Sequence, residues 1–309
     1  MDEATTQAPT APTGPLAIGV DVGGTGIKAA AVDTATGELA SERHRVLTPQ
    51  PATPQACIQT IARMVGRIDK AHPDVAGVPV GCGVPAVVID GVTKSAANID
   101  PGWIDFDADR ALQRALDRPV FMVNDADAAG TAEMRFGAGV GRTGTVIVLT
   151  LGTGVGSAIY VDGRLVPNTE LGHMEIRGRD AEKRSAAVAR LRRGLSWKAW
   201  SQDLDEHLNA IYRLFSPKLI ILGGGVSKNS DRFIPRLTVP CEVVPAAMRN
   251  EAGIVGAALV AIDRAEAQAA TAGDGSPAAV VEPTAAPDEA PPGEPPPGDQ
   301  PPDEAHPDG

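Results

Sequence analysis

Cysteine is scarce in this sequence, and long apolar runs are absent. Three cysteines, Cys57, Cys82 and Cys241, lie far apart in 309 residues, and no CxxC pair occurs. That excludes a disulfide-stapled small domain and a cysteine zinc knuckle, and it points to a reducing compartment. No apolar stretch approaches the roughly 18 to 20 residues that span a bilayer. Residues 1–15 hold two acids, no base and no apolar core, so a signal peptide is not expected. A soluble, cytoplasmic protein without a membrane partner is the expectation. The Walker pattern GxxxxGK(S/T) is also missing, which excludes a P-loop.

What is present is charge, divided unevenly. The formal net charge is −11, yet residues 263–309 carry eleven acids against one base, Arg264, and Asp2 and Glu3 sit at the start, which leaves +1 for Leu16 to Ile262. The acidic stretch also holds eleven of the 27 prolines and few large apolar residues. Such a segment cannot bury enough surface to offset its ordering entropy, so 263–309 reads as a disordered acidic, Pro-rich tail. Residues 1–15 read as a disordered extension.

Between them the pattern is α/β. Leu16 to Val20 and Ile27 to Val32 are strands around a glycine turn, a third run covers Leu39 to Leu47, a helix follows from Pro54, and Val78 to Val84 is a strand. The theme returns with Pro119 to Val123 as a strand, Ala126 to Glu133 as a helix, and Thr145 to Leu151 and Val155 to Val161 as strands around Gly152-Thr153-Gly154. Trp197, Trp200, Leu204, Leu208, Ile211 and Phe215 step by three or four, which predicts one amphipathic helix with its aromatics in the core. Leu219 to Leu222 is a buried strand, and 253–262 a closing helix. The expected arrangement is a small α/β lobe over 16–122 together with that helix, and a large α/β lobe over 123–252, with the glycine turns facing a common cleft.

Five groups of residues carry chemistry. Asp21, Gly23, Gly24, Thr25, Gly26 and Lys28 form a turn whose backbone N–H groups can approach an anion, although a tight hairpin needs glycine for its own sake. Thr153 and Gly154 lie in a second such turn, and the pair can clamp a polyphosphate chain. Asn124-Asp125 stands where a strand gives way to a helix, so Asp125 is either a general base for an attacking hydroxyl or a helix N-cap, with Asp127 as competitor for both roles. Glu170 and His173, three apart, offer the acceptors and donors that a polyol requires. Residues 177–198 add eight bases against two acids, among them Arg184, Arg192, Arg193 and Lys198, and with no aromatic before Trp197 they suit polymeric phosphate better than nucleic acid.

Together these residues resemble the ROK family of sugar kinases in the hexokinase and actin-like superfamily, and most closely its polyphosphate glucokinase branch. The resemblance implies a two-lobed actin-like, hexokinase-like (ribonuclease H-like) fold with mixed sheets and an interlobe cleft. It implies Asp125 as catalytic base, Asn98, Asn124, Glu170, His173 and Glu182 as sugar contacts, with Glu175 the alternative to Glu182, and the run through Gly224 and Gly225 as a nucleotide-side motif. The cysteine-rich zinc segment of many ROK proteins is replaced here by Met174 to Arg177 and the basic stretch, so structural zinc is not expected. Mg²⁺ held through the donor phosphates near Asp21, the substrates glucose, inorganic polyphosphate and ATP, and a homodimer are further expectations of the resemblance. An ATP-only glucokinase, a kinase for another hexose and a sugar-responsive regulator are the alternatives. The last is disfavoured because fifteen residues before the first strand are too few for a helix-turn-helix module.

Overall fold

The computed structural model describes residues 12–96 and 99–273. Its frame is two five-stranded mixed sheets, each opened by a glycine-turned hairpin. In the first, β1 (Leu16–Val22) runs antiparallel to β2 (Ile27–Asp33), with Val22 opposite Ile27, and β3 (His44–Val46) continues on the outer side. On the other side of β1 lie β4 (Val80–Val84) and β8 (Val120–Asn124), both parallel to it. The second sheet repeats the plan. Its hairpin is β9 (Thr145–Leu151) and β10 (Val155–Val161), Leu151 opposite Val155, with β11 (Arg164–Val166) outside and β14 (Leu219–Gly223) and β15 (Glu242–Pro245) parallel on the far side.

Alternate side chains of the central strands bury on opposite faces, because successive Cβ atoms leave a strand on opposite sides. Ile18, Val20 and Val22 join the core beneath α1 (Pro54–Ala71) and α2 (Ala108–Leu116), whereas Ala17 joins the core beneath α7 (Ala252–Gly273). In the second sheet Ile147, Leu149 and Leu151 face α6 (Trp197–Phe215), while Val146 and Val148 pack with Tyr160 and with Met134 of α3 (Asp125–Phe136). Trp197 stacks on Phe233 and Trp200 meets that ring edge-on, so these aromatics are core; Phe215, at the helix end, is half exposed. A small sheet of β5 (Val88–Ile89), β6 (Val92–Thr93) and β7 (Phe106–Asp107) tops the first lobe, and a β12 (Glu175–Ile176), β13 (Arg179–Asp180) ribbon leads into α4 (Glu182–Ser185) and α5 (Ala187–Arg192) in the second.

Three local expectations need correction. The run Leu39 to Leu47 is not one strand: the Ser41 hydroxyl takes the Ala31 N–H at 2.9 Å, in place of a ladder bond, so only Leu39 bridges Val32 before His44–Val46 pairs again. The closing helix, expected over 253–262, runs to Gly273, because residues 265–270 are Ala, Glu and Gln and favour helix despite their exposure. Residues 263–273 therefore belong to the helix and not to the tail. The helix after β8 spans Asp125–Phe136, and its cap is Asn124, not Asp125. Among the described residues no helix is long and apolar enough to cross a membrane.

Candidate active site

Asn124 is the last residue of β8 and the N-cap of α3. Its Oδ1 accepts the N–H groups of Ala126 at 2.9 Å and Asp127 at 3.1 Å, and its Nδ2 donates to the Ala86 carbonyl at 3.1 Å. One amide hydrogen is left for a ligand. Because Asn124 does the capping, the Asp125 side chain at the first helical position is not consumed by the helix. It lines a cleft of about 330 Å³ with Gly23 and Gly24 of the first turn, Thr153 and Gly154 of the second, and Gly224. Glu170, His173 and Glu182 line the same cleft.

Burial raises the Asp125 carboxyl to about 7, the Asp21 charge adds to it, and Glu170 and Asp127 contribute the same way against a lowering hydrogen bond from the Ala126 N–H. Such a carboxyl is matched to taking a proton near neutrality. A base must be deprotonated to act, so kcat/KM for glucose is expected to rise with pH through a single ionisation near 7, to fall away below it, and to level off above it. A profile across pH 5 to 9 checks this; a profile flat across that range would mean that Asp125 is not the titrating group.

The sugar-facing residues come from one short loop and the segment after it. Gly172 lies so close to β10 that an added Cβ would sit 2.3 Å from the Val155 carbonyl oxygen, which folds the Glu170 to His173 turn tightly onto the sheet. Burial pushes the Glu170 carboxyl up, with Glu182 adding to the rise and His173 opposing it. Glu182 is buried and accepts the Val155 N–H at 3.0 Å, while Glu175 is exposed and does not line the cleft. His173, Asp180 and Glu182 bring one donor atom each within 4.8 Å of one another, with His173 Nδ1 3.4 Å from Asp180. Sequence reasoning passed over Asp180 because no pattern links it to His173.

On the donor side Asp21, Lys28, Asp125, Gly224 and Gly225 share an adjoining pocket with Arg249 and Asn250, two residues whose sequence context carried no signal. Lys28 donates to Asp21 Oδ2 at 2.8 Å. Gly224 has φ of +82°, and an added Cβ would lie 2.3 Å from the Leu151 carbonyl oxygen, so only glycine permits this approach. Thr25 and Gly26 line neither pocket: Thr25 is at the exposed tip, and the Gly26 carbonyl accepts the Gly23 N–H at 3.0 Å to close the turn. Asn98 lies outside the described residues.

The basic stretch is gathered but partly neutralised. Arg177, Arg179, Lys183, Arg184, Arg192 and Arg193 line one concavity of about 680 Å³, and Lys198 is exposed elsewhere, on the first turn of α6. Asp203 and Glu206 of α6 reach into it: Arg184 pairs with both, Arg193 with Asp203 at 2.6 Å and Arg177 with Glu206 at 2.7 Å. Arg179 and Arg192 make no ion pair among the described residues.

The chain is 43% identical over 259 residues to a polyphosphate glucokinase of Mycobacterium tuberculosis (strain CDC 1551 / Oshkosh), covering 84% of this chain and 96% of that protein. The crystal structure of an inorganic polyphosphate/ATP-glucomannokinase from Arthrobacter sp. strain KM superposes with a TM-score of 0.78 at 51% identity, covering 81% of this chain and 99% of that one. A ROK family glucokinase from Streptomyces griseus, solved with glucose and AMPPNP, gives 0.69 at 25% identity over 81% of this chain and the whole of the other. With its residues 17–188 matched by the ROK family model, more than half its length, the chain belongs to the ROK family.

Proposed function

We propose that the chain is a glucokinase that transfers the terminal phosphoryl group of inorganic polyphosphate, and of ATP, to the 6-hydroxyl of glucose. The observation that carries the reading is the position of Asp125: it stands in one cleft with two glycine turns on the donor side and with Glu170, His173 and Glu182 on the sugar side. The relatives' substrates, as their names give them, point the same way. The carboxylate accepts the hydroxyl proton as the oxygen attacks phosphorus. Asn124, Glu170, His173 and Glu182 orient the sugar, and Asn98 is assigned to the same group from sequence. The turns at Gly23-Gly24 and Thr153-Gly154 steady the donor, with Gly224 and Gly225 behind it. Positioning and charge stabilisation supply most of the rate in phosphoryl transfer, because the protein has little covalent chemistry to do.

Mg²⁺ fits the donor side. It keeps most of its waters and takes one or two carboxylates plus phosphate oxygens, and Asp21, whose Oδ1 has no hydrogen-bond partner among the described residues, shares a pocket with Asp125. Asp21 would hold the ion, which when bound neutralises charge on the donor phosphates. The protein acts as a homodimer in this reading, as the family resemblance implies.

The basic concavity is assigned to the distal part of a polyphosphate chain, which ATP lacks. Arg179 and Arg192 make no ion pair among the described residues, so their loss removes charge without disturbing a buried acid, whereas loss of Arg184 or Arg193 also takes one of the two arginine partners from Asp203. The double variant Arg179→Ala, Arg192→Ala is expected to raise KM for long-chain polyphosphate about tenfold or more while leaving KM for ATP within about twofold, since each surface charge lost weakens a polyanion contact additively at low salt. Steady-state kinetics with both donors checks this, and equal effects on both would remove the concavity from the donor site.

A further inference from the structure

Asp127 competes with Asp125 in the sequence, and the structure gives it other work. It is 2% exposed, and its Oδ2 accepts the Asn168 N–H at 2.8 Å. Asn168 lies between β11 and Glu170 in the left-handed conformation, with φ of +57°. Its side-chain amide pairs twice with one residue of the other lobe: the Val88 N–H donates to Oδ1 at 2.8 Å, and Nδ2 donates to the Val88 carbonyl at 2.8 Å. The amide thus acts as a surrogate strand edge for Val88, across 80 residues of sequence.

The segment held in this way is the one that enters the first lobe's side of the cleft. Ala86, two residues earlier, accepts from Asn124, and the Val87 N–H donates to the hydroxyl of Ser95, which together with Val87 lines the cleft. On the opposite side of the bond Asn168 precedes Glu170 by two residues. One side chain therefore joins the loop that carries Glu170 and His173 to the loop that lines the same cleft from the other lobe. Val88, Asn124, Asp127 and Asn168 also line a second concavity of about 760 Å³, which shares only Asn124 with the cleft.

We propose that Asn168, buttressed by Asp127, is a positioning residue that sets the spacing of the two sugar-side loops and so governs glucose affinity without acting on the donor. The proposal rests on the sugar kinase reading above. The residue type follows from two demands at one position. Asparagine tolerates positive φ better than other residues with side chains, and its amide offers a donor and an acceptor in one plane, as a strand edge does.

Four variants test it, with KM for glucose, KM for polyphosphate, kcat and Tm measured for each beside wild type. Asn168→Gly keeps the backbone conformation and loses both Val88 bonds, while Asn168→Asp keeps the acceptor and sets a carboxylate against the Val88 carbonyl. Each is expected to raise KM for glucose about tenfold, the equivalent of one or two net hydrogen bonds, with KM for polyphosphate and kcat changed less than about threefold. Asp127→Asn retains an acceptor for the Asn168 N–H and is expected to behave as wild type, whereas Asp127→Ala should match Asn168→Gly. An unchanged glucose KM in folded Asn168→Gly overturns the proposal. So does an equal rise for glucose and donor accompanied by a lowered Tm, the mark of general loosening. A wild-type protein that phosphorylates no glucose with either donor would overturn the proposed function itself, a result distinct from failure of the latch alone.

Discussion

Replacing Asp125 by Asn is expected to cut kcat by about 10²- to 10⁴-fold, the range that a positioned general base contributes, while glucose still binds with near wild-type affinity. The substitution preserves shape and leaves Asn124 as the cap of α3, so helix and cleft should survive. What is lost is the carboxylate with its pKa raised to about 7, in the cleft with Gly23 and Gly24 on the donor side and Glu170 on the sugar side. Asp127 is not placed to substitute for it. It does not line the cleft, and one of its oxygens is engaged with the Asn168 backbone. Single-turnover kinetics together with equilibrium glucose binding separates loss of chemistry from loss of binding. A variant that kept kcat within a few fold of wild type would show that the proton leaves by another route.

The second large effect is on stability. Gly256 of α7 meets α3 so closely that an added Cβ would lie 1.6 Å from the Ala128 carbonyl oxygen, and Gly19 and Gly81 of β1 and β4 touch the α7 backbone at Ile254 and Ala257 in the same fashion. Helix propensity alone would make Gly256→Ala stabilising by roughly 1 kcal/mol. The clash is with backbone and cannot be relieved by a rotamer change, so the helices must separate and the packing of Ile254, Val255, Ala258 and Leu259 opens. Overpacking costs about 1 to 3 kcal/mol, and a clash with backbone belongs at the upper end of that range, which at this chain length lowers Tm by roughly 5 to 10 °C. Gly66, exposed on α1 with nothing within 4 Å of an added Cβ, is the control: Gly66→Ala should raise stability by about 0.5 to 1 kcal/mol. Thermal melts of the two variants check both signs. Because α7 also packs at Gly253 against Asp21, loosening this helix is expected to disturb the donor side before the sugar side.

Much of the frame was legible because it rests on local rules. The glycine turns between apolar runs gave both hairpins, the three-to-four spacing gave α6, and the repeated order of strand, turn and strand gave the duplication of the sheets. The head of α3 was less legible. Asn124, Asp125 and Asp127 are all acceptable caps, and only the backbone conformation of Asn124, extended at φ −60° and ψ 140°, decides which one accepts the helix N–H groups. The fate of the basic run was hidden for a different reason: its partners Asp203 and Glu206 lie on another helix, and tertiary packing selects which arginines they neutralise. Asn168 stands in a Pro167-Asn168-Thr169 run that resembles polyphosphate glucokinases, but its bridging role was hidden, since its partners stand 41 and 80 residues away. Residue types suited to the chemistry could be named from the sequence, but the side chains that hold them in place required the fold.

The most direct test of the account is glucose 6-phosphate formation by the purified chain with Mg²⁺, assayed in parallel with nucleotide-free long-chain polyphosphate and with ATP. Turnover with polyphosphate in the absence of nucleotide, saturating with chain concentration, is the expected result. Turnover with ATP alone would contradict it, leaving Asp125 and the cleft with a nucleotide donor and the arginine concavity without a substrate.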